Sequence, residues 1–265
     1  GFPLMSGEQP SAPPVAIGGR LYLPILKGPG ILIIDNAGSM SYSDTLHERQ
    51  RIAPSLIGNA LTMAPRSFDS LLYTMDQDGR ILSLSPAELP GLLAGGPISF
   101  KTREGEQYIA VISETGIYQR YFLAQGEAQG PEAYGEEKQV QATFSSSPAW
   151  SPASQSLIVI ANDGTLYRIN VNGDVEAWAP SGKSGRDLSV SCASLDGGRT
   201  DVVFVAGAGD QLMAFDTDLR PLPGFPIPGT SLPVFPDINR DGKPEILTRG
   251  LDDRIHVIQY SGGSR

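Results

Sequence analysis

The stretch Leu157-Ile158-Val159-Ile160-Ala161-Asn162-Asp163-Gly164-Thr165-Leu166-Tyr167-Arg168-Ile169 reads as two short strands joined by a tight turn. Its first part is apolar and β-branched, its last part alternates apolar with polar, and Asn-Asp-Gly between them tolerates left-handed backbone. The same grammar recurs along the chain. Gly28-Pro29-Gly30 precedes Ile31 to Ile34, Asp76-Gln77-Asp78-Gly79 precedes Arg80 to Leu84, and Thr115-Gly116 precedes Ile117-Tyr118. Gly209-Asp210 precedes Gln211 to Phe215, and Asp252-Asp253 precedes Arg254 to Ile258. The six turns fall about 45 residues apart on average, the length of a four-stranded propeller blade.

A β-rich strand lies upstream of each turn: Tyr22 to Leu26, Leu71 to Met75, Tyr108 to Ile112, Leu157 to Ala161, Val202 to Ala206 and Glu245 to Thr248. Three units open with a Ser-x-Pro-apolar lead-in, at Ser11, Ser146 and Ser231. The pattern predicts an all-β, six-bladed β-propeller forming one domain, with repeats over 5–50, 51–92, 93–130, 139–180, 181–226 and 227–265. A βαβ architecture needs helices of about 10 residues or more between strands, and only Ser43 to Met63 and Pro86 to Leu93 read as partly helical. Gly1-Phe2-Pro3 echoes Gly224-Phe225-Pro226, and the last unit runs out at Ser261-Gly262-Gly263 before a fourth strand. Residues 1–4 are therefore expected to supply that strand and close the ring, which would hide its open edges.

Composition narrows the function. Gly (31) and Pro (22) are abundant in the 265 residues, as many short elements require. Asp and Glu number 29 against 20 Lys and Arg, a net charge of −9, which disfavours nucleic acid and anionic membrane surfaces. No apolar run approaches the roughly 20 residues of a spanning helix. Cys192 is the single cysteine, and His47 and His256 are the only histidines, so intrachain disulfides and multi-Cys or multi-His metal sites are excluded. The chain opens without Met, as a mature or excised piece would.

The sharpest motif is Asp237-Ile238-Asn239-Arg240-Asp241-Gly242-Lys243-Pro244-Glu245. Side-chain oxygens fall at positions 1, 3, 5 and 9, glycine at 6 permits a tight bend, and the carbonyl of Lys243 sits at 7. Calcium takes six to eight hard oxygens, and this alternation turns them to one side. The expected ligands are Asp237, Asn239, Asp241, Lys243 and Glu245, holding one structural Ca2+. Together with Ser231-Leu232-Pro233, and Asp216-Thr217-Asp218 leading to Pro223-Gly224-Phe225-Pro226, the loop resembles the FG-GAP repeats of integrin-α-like propellers. The resemblance covers the last two units and implies a calcium-loaded, noncatalytic recognition propeller outside the cytoplasm. Unit five keeps only Asp196-Gly197-Gly198-Arg199-Thr200-Asp201, and unit four has no acids at that place. Trp150-Ser151-Pro152 in unit four is similar instead to TolB-type six-bladed propellers.

Two motifs imitate other families. Asp35-Asn36-Ala37-Gly38-Ser39 resembles the first metal motif of von Willebrand A domains, but Ala37 removes a hydroxyl ligand. Aligned on Asn170-Val171-Asn172-Gly173, it reads as a turn after a third strand. Ser194 to Thr200 has the spacing of a sialidase Asp-box, but lies between the wrong strands and lacks the arginine cluster that chemistry needs. No nucleophile elbow, phosphate loop or dinucleotide loop occurs, so no catalytic residues are nominated. Gly126 to Gln139, which is acidic with Tyr134, and Ser39 to Arg51 read as long insertions, where binding usually resides. The expected function is an extracytoplasmic recognition module for a protein or glycan, either a monomer or part of a longer chain. The alternatives are a glycan hydrolase or lyase with carboxylates at the central channel, and a structural segment of a larger surface protein. Carboxylates with raised pKa would favour the enzyme, and an aromatic patch the binder.

Overall fold

The computed structural model describes residues 14–25, 31–43, 55–57, 60–64, 71–82, 87–122, 132–180, 185, 187–195, 200–207, 210–218 and 220–260. Every regular element among the described residues is a β-strand. The chain divides into two compact units, Gly1–Gln141 and Ala142–Arg265.

The first unit holds three antiparallel meanders. Strands β1 (Val15–Ile17), β2 (Arg20–Pro24), β3 (Ile31–Ile34) and β4 (Met40–Tyr42) form the first sheet. Strands β5 (Ser55–Ile57), β6 (Ala60–Met63), β7 (Leu71–Met75) and β8 (Ala87–Glu88) form the second. Strands β9 (Ile98–Lys101), β10 (Gln107–Ile112), β11 (Ile117–Phe122) and β12 (Glu132–Gln139) form the third. The second unit adds β13 (Ala149–Ser151), β14 (Ser156–Ile160), β15 (Thr165–Asn170) and β16 (Val175–Pro180) as a fourth sheet. Strands β17 (Ser189–Ser194), β18 (Asp201–Ala206), β19 (Gln211–Phe215) and β20 (Ile227–Pro228) form a fifth. Among the described residues, strands β21 (Ile246–Arg249) and β22 (Ile255–Ile258) form a two-stranded sheet, with Val234 bridged to Leu247 of β21.

The core lies between successive sheets, because the central strands are buried on both faces. All six residues of β18 are buried. Successive side chains of a strand point to opposite faces. Val203 and Val205 therefore join Ile158, Ile160 and Leu166 of the fourth sheet. Val202, Phe204 and Ala206 turn the other way, to Ile246 of β21. In the first unit, Ile31 and Ile33 of β3 meet Leu61, Tyr73 and Met75 of the second sheet. Leu72 on the opposite face of β7 meets Ile109 and Val111 of the third. Each such buried side chain contributes about 1.5–3 kcal/mol, so continuous apolar runs at these positions select stacked sheets over a one-faced layer.

Three expectations are corrected. Leu71–Met75 is the third strand of its sheet, not the second, because it pairs with β6 on one side and β8 on the other. The turn Asp76 to Gly79 therefore follows a third strand. An Asx residue followed three positions later by Gly serves there as readily as at the preceding hairpin, and spacing alone does not separate the two uses. The partly helical readings give way to β5, β6 and β8 wherever residues are described. Glu132 to Gln139 is not loop but strand β12, paired with β11 along its length around a bulge. Residues 1–4, 28–30, 44–51 including His47, and the Asp-box core 196–199 lie outside the described residues.

Candidate functional site

The loop from Asp237 to Glu245 is fastened at its base. The Glu245 amide donates to the Pro236 carbonyl at 2.9 Å, and Val234 and Leu247 exchange two backbone bonds. Arg240 (φ 60°) and Gly242 (φ 83°) occupy left-handed backbone and turn the chain back on itself. Asp237 Oδ1 accepts the Asp241 amide at 3.0 Å, and Asp237 Oδ2 accepts the Gly242 amide at 2.9 Å. Asn239 Oδ1 also accepts the Asp241 amide, at 2.9 Å. Asp241 Oδ1 accepts the Lys243 amide at 2.9 Å, and its Oδ2 receives Asn239 Nδ2 at 3.1 Å and Gln259 Nε2 at 3.4 Å. Glu245 is only 5% exposed, and its Oε2 accepts the Ile238 amide at 2.8 Å. The structure thus links Asp237, Asn239 and Asp241 in one ring of bonds, while Glu245 closes the base and Lys243 contributes its amide. The donors are hard oxygens, the set calcium prefers. Among the described residues, no three His, Cys, Asp or Glu side chains converge closely enough to hold a metal ion.

The third sheet carries an aromatic platform. Tyr134 of β12 is 46% exposed, and its ring centroid lies 5.2 Å from that of Tyr108. The Arg120 guanidinium sits over both rings, 5.7 Å from Tyr108 and 5.3 Å from Tyr134. Phe100 stacks on Tyr108 at 5.7 Å, and the Tyr108 hydroxyl donates to Glu106 at 2.9 Å. Burial, then the bond to Glu106, pushes the Tyr108 phenol above its ordinary range. Next to the Arg120–Tyr134 pair, the bulge in β12 places Gly135 (φ 75°), where an added Cβ would lie 3.6 Å from the guanidinium. Alternation on an acidic segment had marked only an insertion; pairing with β11 turns Tyr134 onto Arg120.

A recess of about 210 Å³ lies at the turn after β3. Arg20, Asp35, Ser39, Ser41 and Asp78 supply its polar groups, and Ile33 and Met40 its apolar wall. Arg20 donates to Asp78 Oδ1 and to the Gln77 carbonyl, each at 2.7 Å, and Tyr22 Oη donates to that same carbonyl at 2.7 Å. The bond from Arg20, then its charge, holds the Asp78 carboxyl below the usual range. His256 similarly holds the exposed Asp252 carboxyl down, across a 2.9 Å contact. Neither is the raised carboxyl that a glycosidase acid requires.

Sequence reading missed the role of Asp201. It is buried at the start of β18, where Ser151 Oγ donates to it at 2.6 Å and the Ala153 amide at 2.7 Å. The fifth sheet thereby holds the Trp150-Ser151-Pro152 strand of the fourth. The available signal was an acid opening an otherwise apolar run.

No family model matches the chain, and no curated protein matches its sequence. Solved structures do match. BamB from Moraxella catarrhalis is 12% identical, covering 96% of this chain and 73% of that one, with a TM-score of 0.63. The fold is that of a β-propeller, with five four-stranded blades among the described residues. BBS1N, solved in complex with ARL6DN, is 13% identical over 95% of this chain and 79% of that one, at a TM-score of 0.65. Virginiamycin B lyase from Staphylococcus aureus, in a catalytically inactive form with quinupristin, is 13% identical over 99% and 88%, at 0.58. Such identities carry the fold of this propeller and nothing finer. Among the described residues no helix is long and apolar enough to cross a membrane.

Proposed function

We propose that this propeller is a noncatalytic recognition module working outside the cytoplasm, with a protein or glycan ligand and one structural calcium ion. The observation that carries the recognition reading is the exposed Tyr134 ring packed against the Arg120 guanidinium and, tilted, against Tyr108. Tyr and Arg dominate binding hot spots, since both offer large rigid contact area with directed hydrogen bonds. A neighbour of the same fold, BBS1N, is itself seen in a protein complex.

Calcium would be held by Asp237, Asn239, Asp241, the Lys243 carbonyl and Glu245, consistent with the FG-GAP resemblance of the last two units. It would replace amide partners of these carboxylates and stiffen the lead-in to β21. The sixth blade is proposed to be completed by residues 1–4. Ile255 and Val257 of β22 are 73% and 57% exposed, an apolar outer strand of the kind that sheets cover. Gly224-Phe225-Pro226 leads directly into the fourth strand β20 of the fifth sheet, the role its echo Gly1-Phe2-Pro3 would play.

The recognition reading is tested by immobilising the chain and passing over it, in calcium buffer, an extract of surface proteins and glycans. A specific ligand retained by the wild type and lost with Tyr134→Ala and Arg120→Ala supports it. Retention indifferent to both substitutions overturns the platform as the binding surface.

A further inference from the structure

We infer that the recess after β3 is a saccharide subsite, taking one pyranose ring of a neutral glycan through its vicinal hydroxyls. The inference rests on the recognition reading and names the ligand class for a second surface, independent of the Asp237 loop.

The turn that builds the recess is repeated four times. Asp35, Asp76 and Asp216 each follow a third strand, and Asn170 ends one. In each, Oδ1 accepts the amides two and four residues on: Ala37 and Ser39, Asp78 and Arg80, Asn172 and Asp174, Asp218 and Arg220. The fifth position differs. It is Arg80, Asp174 or Arg220 in three turns, but Ser39 in the first. A short hydroxyl there leaves open the space that a long or charged side chain would cross.

The open space is chemically mixed. Asp35 uses only Oδ1 within its turn and Asp78 only Oδ1 toward Arg20, so each keeps Oδ2 as an acceptor. Ser39 and Ser41 carry hydroxyls that can donate or accept. Arg20 is fixed by Asp78 and the Gln77 carbonyl, which orients its remaining N–H groups. Ile33 is buried beneath and Met40 is exposed beside it, giving a C–H surface a face to lie on. Two carboxylates against one guanidinium disfavour an anion. The guanidinium paired to one of those carboxylates disfavours a metal ion. Paired acceptors, fixed donors and an apolar floor suit a neutral polyol, and about 210 Å³ holds a single ring rather than a drug-sized ligand. The walls are tied before any ligand arrives, so little ordering cost opposes binding.

The test is a titration of the intact chain, by saturation-transfer NMR and calorimetry, with methyl glycosides of glucose, galactose, mannose and N-acetylglucosamine. Saturable binding of at least one at millimolar concentration is expected. Ser39→Arg places at this turn the residue found at two of the others and should abolish it. Asp35→Asn should weaken it about tenfold, while keeping the turn, since Asn170 holds the same geometry in the fourth sheet. Circular dichroism and melting of both variants confirm the fold. No saturable binding by any glycoside up to about 50 mM, or binding that survives Ser39→Arg, overturns the subsite. So does a response to glucosamine and methylamine alone, which would assign the recess to a cation. Each of these leaves the Tyr134→Ala capture result untouched, so failure here is distinct from failure of the recognition reading.

Discussion

At the scale of single residues, charge placement matters most where water is absent. Asp201 is 3% exposed and satisfies both a hydroxyl and an amide of the neighbouring strand turn. Removing it leaves Ser151 Oγ and the Ala153 N–H without that partner. A buried group left unsatisfied costs about 1–3 kcal/mol. Asp201→Ala is therefore expected to lower the unfolding free energy by about 2–3 kcal/mol. Urea titration should show a lower midpoint at unchanged slope. Arg168 and Glu176, an exposed pair on the same sheet as Ser151, illustrate the contrast. Water screens such pairs, and their loss changes stability little. Cys192 is half-buried on β17, and desolvation there pushes its thiol up, away from the reactive thiolate.

At the scale of elements, strand order determines which face each side chain occupies. Tyr134 reaches Arg120 because the two residues are directly paired across β11 and β12. A slip of one residue would turn every side chain of β12 to the other face. The sixth sheet poses the opposite case, with two strands paired and an apolar outer strand in view. If residues 1–4 complete it, deleting Gly1 to Leu4 removes four ladder residues and bares the backbone edge of β22. A melting temperature lower by several degrees is expected, with faster amide exchange on β22. Unchanged melting and unchanged exchange would remove residues 1–4 from the sixth blade.

At the scale of the whole molecule, the calcium ion proposed for the loop would link it to the surroundings in which the chain works. A ligand that binds only the folded state stabilises it by mass action. For a dissociation constant of about 10 μM, about 1 mM calcium adds about 2.7 kcal/mol, or several degrees in a melt. The rise should appear over an EDTA control, be absent with magnesium, and vanish in Asp241→Ala. A flat response would remove the metal and with it the argument for a calcium-rich compartment. The repeat, the all-β class and five of the six strand-turn-strand registers were legible in the amino-acid sequence, because apolar alternation and Asx-Gly turns are local properties of the chain. The tight bend from Asp237 to Glu245 was legible for the same reason, since the amide bonds that hold it span few residues. The second sheet was misread because two kinds of turn share one local signature, and only pairing with β6 and β8 separates them. Asp201 on Ser151, Tyr134 on Arg120 and Arg20 on Asp78 were decided by tertiary structure alone. Their partners lie 50, 14 and 58 residues apart in sequence, and only the stacking and pairing of strands brings them within reach.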